Sequence, residues 1–232
     1  MKPIISIVIP TKDRCYYLKK TVRMILSYRL NSIEIIIQDN SDDNSEILDY
    51  LRLNPNEVIK YHYISEQMPI SKNIDIGILQ SCGEYVCVIG DDDGVLRNIV
   101  DCAKWMKENN IEALVPAKLI YNWPDYDKLA GMIEPGAMYH KPFMKQVHEV
   151  NALEQLRVLA ATGFTDINNI PRVYQGIVKK ECLNAVYDVG GTYCPGPSPD
   201  MANAVALSFV VEKFVSIDIP VVIIGQSMHV GG

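Results

Sequence analysis

Three adjacent carboxylates, Asp91-Asp92-Asp93, follow the apolar run Val86-Cys-Val-Ile89 and stand between Gly90 and Gly94. Like charges at this spacing repel, and a short loop gains little by holding them unless a cation shares their field. Carboxylate oxygens suit hard ions such as Mg²⁺ or Mn²⁺, and few protein ligands suffice when substrate phosphates complete the shell. A solvated acidic turn bent at Gly94 is the plainer alternative. Placement directly after a buried strand favours the metal site. An EF-hand is excluded, because neither acidic stretch carries the loop glycine and closing glutamate such a site needs.

Two more polar clusters follow apolar runs in the same way. Ile4–Ile9 leads into Pro10-Thr-Lys-Asp-Arg14, and Ile33–Ile37 leads into Gln38-Asp-Asn-Ser-Asp-Asp-Asn-Ser45. In open α/β sheets ligands bind outside the carboxyl ends of the strands, so clusters distant in sequence should line one cleft. Asp200 follows Pro199 and precedes a helical run, where a carboxylate can serve as an N-cap.

The elements that must hold these groups alternate in type. The β-branched runs Ile4–Ile9, Ile33–Ile37, Val58–Ile64 and Val86–Ile89 read as strands, the nearly continuous ones buried on both faces. Between them, Leu18, Val22, Ile25 and Leu26 recur at helical spacing. Ser45–Leu53 and Ser71–Ser81 read as helices, with Ser71 near the second N-cap, and Leu96, Ile99, Val100 and Ala103 mark a fourth helix. Strands separated by helices predict right-handed crossovers and an α/β sheet. Residues 121–150 carry Pro124, Pro135 and Pro142 with few periodic signals and read as an extended loop or lid. Leu153–Ala161 and Met201–Val211 look helical, and Val215–Ile224 looks like a strand containing Pro220. No internal repeat or low-complexity segment is visible. The end at Gly231-Gly232, just after a strand, points to a truncated chain.

Composition removes several classes. The 232 residues hold 22 Lys+Arg against 28 Asp+Glu, a net charge of 22 − 28 = −6, with 48% hydrophobic residues. That acidity argues against nucleic acid as the main partner. No apolar run approaches the ~20 residues of a membrane-spanning helix. The run Ile4–Ile9 is too short for a signal peptide. The six cysteines form no C-x-x-C pair and read as reduced thiols of a cytoplasmic protein. Trp105 occupies a helical core position; Trp123, beside Tyr121 and Tyr126, reads either as a sugar-stacking platform or as ordinary packing.

Taken together, these segments resemble glycosyltransferase family 2, the inverting GT-A enzymes. Ser6-Ile-Val-Ile-Pro-Thr-Lys-Asp-Arg14 resembles that family's opening strand and loop. Glu34–Ser45 is similar to its second strand and nucleotide loop, and Ser71-Lys-Asn-Ile74 with Gly83–Asp93 is similar to its helix, fourth strand and D-x-D motif. Cys194-Pro-Gly-Pro-Ser-Pro-Asp-Met201 stands where the family carries its catalytic base. The likeness spans nearly the whole chain, in the family's order.

The resemblance implies one GT-A domain over residues 1–232, with a nucleotide-binding half (1–110) and an acceptor-side half (111–232). It implies transfer from a nucleotide-sugar, a UDP-sugar, to a glycan or glycolipid acceptor, aided by Mn²⁺ or Mg²⁺. The setting would be bacterial surface polysaccharide or glycolipid synthesis at the inner face of the membrane, with peripheral association through the acceptor. Asp39 would accept from uracil; Pro10, Thr11 and Arg14 would contact the nucleotide, with Lys72 near base or diphosphate. Asp91 would touch the ribose, Asp92 or Asp93 would bind the metal with His229 as a further candidate ligand, and Asp200 would be the base. Gly90 stands where the family usually has its first carboxylate, so which aspartate is the direct ligand stays open. Two alternatives compete: a sugar-nucleotide-binding module without transfer activity, and a haloacid-dehalogenase-type phosphatase with Asp91 as nucleophile and Asp93 as acid/base. The second lacks a downstream G-D-x-x-x-D.

Overall fold

A computed structural model describes residues 2–126, 134–164, 167, 169–196 and 198–228. Its elements run β1 (Ile5–Thr11), α1 (Cys15–Ser27), β2 (Ile33–Asp39), α2 (Ser45–Leu53), β3 (Ile59–Tyr63), α3 (Ile70–Gln80), β4 (Tyr85–Val88), β5 (Gly94–Val95) and α4 (Ile99–Glu108). They continue with β6 (Ala113–Asn122), β7 (Met138–His140), β8 (Val147–Val150), α5 (Ala152–Ala161), β9 (Ile177–Lys179), α6 (Lys180–Gly190), α7 (Pro199–Leu207) and β10 (Phe214–Gln226).

The strands form one sheet in the order β3-β2-β1-β4-β9-β6-β10-β5, with β7 beside β6 and β8 beside β10. β1 pairs in parallel with both β2 and β4, and β2 with β3. The chain thus builds outward from β1 to β3, then returns to the other side of β1 as β4. That reversal opens a crevice at the carboxyl ends of β1 and β4.

Alternation along the strands divides the core in two. Ile5, Ile7, Ile9, Ile35, Ile37, Tyr85 and Cys87 face the helices α1, α2 and α4 through Leu18, Val22, Ile47, Ile99 and Met106. Val8, Ile36, Val86 and Val88 face α3, α6 and α7 through Ile74, Ile78, Leu183, Val186 and Leu207. Burial on both faces is why these strands read as unbroken apolar runs. All six cysteines are free thiols, and Trp105 packs against the first cluster, both as expected.

Several sequence expectations need correction. Pro69, not Ser71, is the N-cap residue of α3. Residues 121–150 are not a loop throughout: β6 runs to Asn122, and β7 and β8 pair antiparallel with β6 and β10. β7 is exposed along its length and β8 nearly so, so no polar–apolar alternation marks them. β6 carries no clean strand signal because Pro116 interrupts its apolar run, and β9 carries none because it has three residues. The helix α6 did carry a legible signal in Cys182, Leu183 and Val186.

Candidate active site

Thr11 closes β1, and its hydroxyl donates to Asp91 Oδ2 at 2.7 Å. Arg14, the N-cap residue of α1, donates from Nε to Asp91 Oδ1 at 2.6 Å and lies over the Tyr17 ring at 4.7 Å. Its other nitrogen reaches Asp92 Oδ2 at 2.7 Å. Ser227 joins the group, accepting from Arg14 at 2.9 Å and donating to Asp92 Oδ2 at 2.5 Å. Burial pushes the Asp91 carboxyl up to about 6, while Arg14 and Thr11 pull the other way.

The turn itself is held from behind. Trp123 Nε1 donates to the Asp92 carbonyl at 2.9 Å. Trp123 is buried, edge-on to Tyr17 and Tyr121, so packing is its role rather than a sugar platform. Gly225 passes so close that a Cβ there would sit 1.8 Å from the Asp92 carbonyl oxygen. Neither Trp123 nor Gly225 announced this role, because each acts through Asp92's backbone.

Asp93 does not face the cleft. Its Oδ2 accepts from Gly90 N (2.8 Å), Gln175 Nε2 (2.9 Å) and Tyr174 Oη (3.1 Å), and its Oδ1 from Gly225 N (2.9 Å). Oδ2 is thus fully engaged by three donors and Oδ1 is tied to the Gly225 backbone, which turns the carboxylate into the protein. Asp92, by contrast, lines the cleft, and its Oδ1 accepts no hydrogen bond among the described residues.

One cleft of about 560 Å³ joins Pro10, Thr11, Arg14, Asp91 and Asp92 to Asp200. An adjoining hollow of about 630 Å³ shares Thr11 and Arg14 and is walled by Asp39, Ser41, Tyr17 and Pro124. Asp39 is buried, with Oδ1 accepting from the Ser41 backbone and hydroxyl and Oδ2 from Tyr61. Lys72 is exposed on α3 and lines neither hollow. His229 lies outside the described residues.

Asp200 is not an N-cap. Ser198 holds that position, Pro199 follows, and Asp200 sits inside the first turn, accepting from the Ser198 hydroxyl at 2.9 Å. With proline at the first helical position, the helix starts two residues earlier than it would with Asp200 as its cap. Asp200 therefore keeps its carboxylate in the cleft without a capping bond.

Among the described residues no group of three or more His, Cys, Asp or Glu side chains could hold a metal. A cation would rest on Asp92 and on oxygens of a bound diphosphate, which a hard carboxylate donor facing the cleft suits. No helix among the described residues is long and apolar enough to cross a membrane.

Comparison with known proteins agrees with this architecture. A 135-residue stretch is 30% identical to glycosyltransferase GlyG of Streptococcus pneumoniae, covering 56% of this chain and 42% of that protein. A 96-residue stretch is 27% identical to a Campylobacter jejuni GalNAc(5)-diNAcBac-PP-undecaprenol beta-1,3-glucosyltransferase, covering 40% and 31%. The chain thus spans less than half the length of either relative. The S. aureus TarS structure in complex with UDP-GlcNAc superimposes with a TM-score of 0.71 at 15% identity, over 99% of this chain and 60% of that one. The mannosyltransferase PcManGT of Pyrobaculum calidifontis, in complex with GDP-Man and Mn²⁺, does so at 0.61 and 13%, over 99% and 58%. These likenesses show the GT-A fold. The family model for glycosyl transferase family 2 matches residues 6–157, about two thirds of the sequence, and the chain belongs to that family.

Proposed function

We propose that this domain is a metal-dependent inverting glycosyltransferase that moves a sugar from UDP to a hydroxyl of a glycan or glycolipid. The observation that carries this reading is the single cleft placing Asp91 and Asp92 together with Asp200. Residues 1–110 supply the nucleotide side and residues 111–232 the acceptor side. Asp39 selects uracil from the adjoining hollow, and Thr11, Arg14 and Asp91 hold the nucleotide. The structural neighbour solved with UDP-GlcNAc supports a UDP-sugar donor, and the relative named for an undecaprenol-linked glycan supports a lipid-linked acceptor; a surface-glycan setting at the inner face of the membrane completes the proposal.

Asp200 takes the proton of the acceptor hydroxyl as its oxygen attacks the anomeric carbon. The bond from that carbon to the diphosphate oxygen breaks, and UDP departs with the electron pair. Arg14 stands where it can offset charge on the departing diphosphate. Mn²⁺ or Mg²⁺ on Asp92 would act there as a Lewis acid. The phosphatase reading falls with family membership and with an Asp93 that is turned away from the cleft and held by four donors.

The test is calorimetry with UDP, with and without Mn²⁺, on the wild type and Asp92→Asn, alongside turnover of UDP-sugars. Metal-tightened binding lost in Asp92→Asn supports the assignment. Equal affinity with EDTA and with Mn²⁺ overturns the metal. Competition by ADP equal to that by UDP overturns the role of Asp39. Binding without turnover would leave the sugar-nucleotide-binding module.

A further inference from the structure

Asp93 is a buried carboxylate, 4% exposed, whose four donors are all neutral groups. Burying a charge is costly unless an opposite charge compensates. Lys118, on β6, stands one hydrogen bond further out. Its Nζ donates to Gln175 Oε1 at 2.8 Å, and Gln175 Nε2 donates to Asp93 Oδ2 at 2.9 Å. One amide thus accepts from an ammonium and donates to a carboxylate.

Gln175 holds an unusual backbone for this purpose. Its φ is +57°, a region that favours glycine, yet a side chain is present. Its N–H donates to Val88 O at 2.8 Å, clamping the segment to the end of β4. The next residue, Gly176, has no room for a Cβ, which would lie 2.2 Å from the Arg172 carbonyl oxygen. A strained conformation with a fully engaged side chain is what a residue kept for positioning would show.

The geometry points to Lys118 and Gln175 as positioning residues for the nucleotide-binding turn: the ammonium offsets the buried charge of Asp93 through the Gln175 amide, and Asp93 holds Gly90 and Gly225 so that Asp91 and Asp92 face the cleft. Burial pulls the Lys118 ammonium down to about 8, with Arg172 acting the same way and Asp93 and Asp200 acting against it. This inference rests on the donor-site reading above.

The experiment measures UDP affinity in the presence of Mn²⁺, and melting temperature, for the wild type, Lys118→Met, Lys118→Arg and Gln175→Glu. Gln175→Glu keeps the acceptor for Lys118 but replaces the donor to Asp93 with a second negative charge. It and Lys118→Met should each weaken UDP binding by roughly tenfold or more, while Lys118→Arg stays within about threefold. Wild-type affinity in both variants overturns the inference. Should Lys118→Met not fold, Asp93→Asn is compared with Asp93→Asn/Lys118→Met. Equal UDP affinity shows that Lys118 acts through the Asp93 charge; a further tenfold loss shows that it acts elsewhere and overturns the inference. A wild type that binds no UDP overturns the donor-site reading, and this inference with it.

Discussion

Arg14 and Asp91 meet through Nε and Oδ1 at 2.6 Å, across the line where the sheet reverses between β1 and β4. Their side chains are 10% and 6% exposed, and the same guanidinium reaches Asp92 at 2.7 Å. One cation thus ties both cleft-facing carboxylates to the start of α1.

Removing that cation should leave Asp91 buried with only Thr11 as partner. Arg14→Gln is expected to cost about 3 kcal/mol of stability, the scale of breaking a buried ion pair. Arg14→Lys should recover part of the stability but not UDP affinity, because an ammonium cannot span two carboxylates as a planar fork does. Urea denaturation and UDP calorimetry on both variants check this; equal stability of Arg14→Gln and wild type would refute the pairing.

Asp91 also predicts a pH dependence. Its folded pKa of about 6 lies above the ordinary 3.8, so between these values the folded state holds a proton that the unfolded chain has lost. Stability must therefore fall as pH rises through this window and level off above about 6. Two pKa units correspond to roughly 3 kcal/mol. Measured in EDTA, the stability of wild type minus that of Asp91→Asn should drop by about that amount from pH 4 to pH 7. A difference that grows with pH would exclude a raised pKa.

Asp200→Asn separates chemistry from folding. Because Ser198 occupies the N-cap position, Asp200 makes no capping bond whose loss would unfold α7. Melting temperature and UDP affinity should stay near wild type, while turnover falls by ~10²- to 10⁴-fold. Near-normal turnover would reject Asp200 as the base.

Gly225→Ala tests the support behind the turn. The new Cβ would meet the Asp92 carbonyl oxygen at 1.8 Å and Trp123 Nε1 at 2.9 Å. Backbone cannot yield as a flexible side chain can, so the turn must shift, at a cost of about 1–3 kcal/mol. Loss of UDP affinity beyond what the melting temperature explains is expected. An unchanged affinity would mean that Asp92 tolerates the displacement.

The helix Ser45–Leu53 lies where helical spacing places it, and β1, β2 and β4 follow their apolar runs to within a residue or two. These elements were legible because a strand buried on both faces, or a helix with one buried stripe, writes its environment into consecutive residues. β7, almost wholly exposed, writes nothing of the kind. β6 hides behind Pro116, which falls where its pairing with β10 approaches a register shift.

The carboxylates after β2 and β4 were visible as residue types, and so was the expectation that the clusters after β1, β2 and β4 line one cleft; Asp200 joined them only through the family resemblance. Residue order alone could not say which aspartate of the triplet turns inward. Four donors from three separate segments, at Gly90, at Tyr174 and Gln175, and at Gly225, draw Asp93 into the protein and leave Asp92 facing out. Local patterning is set by each segment's own burial, so the chain carries it in plain order. The direction of a side chain within a charged turn is set largely by partners 81 to 132 residues away, and it exists only once the sheet has brought them together.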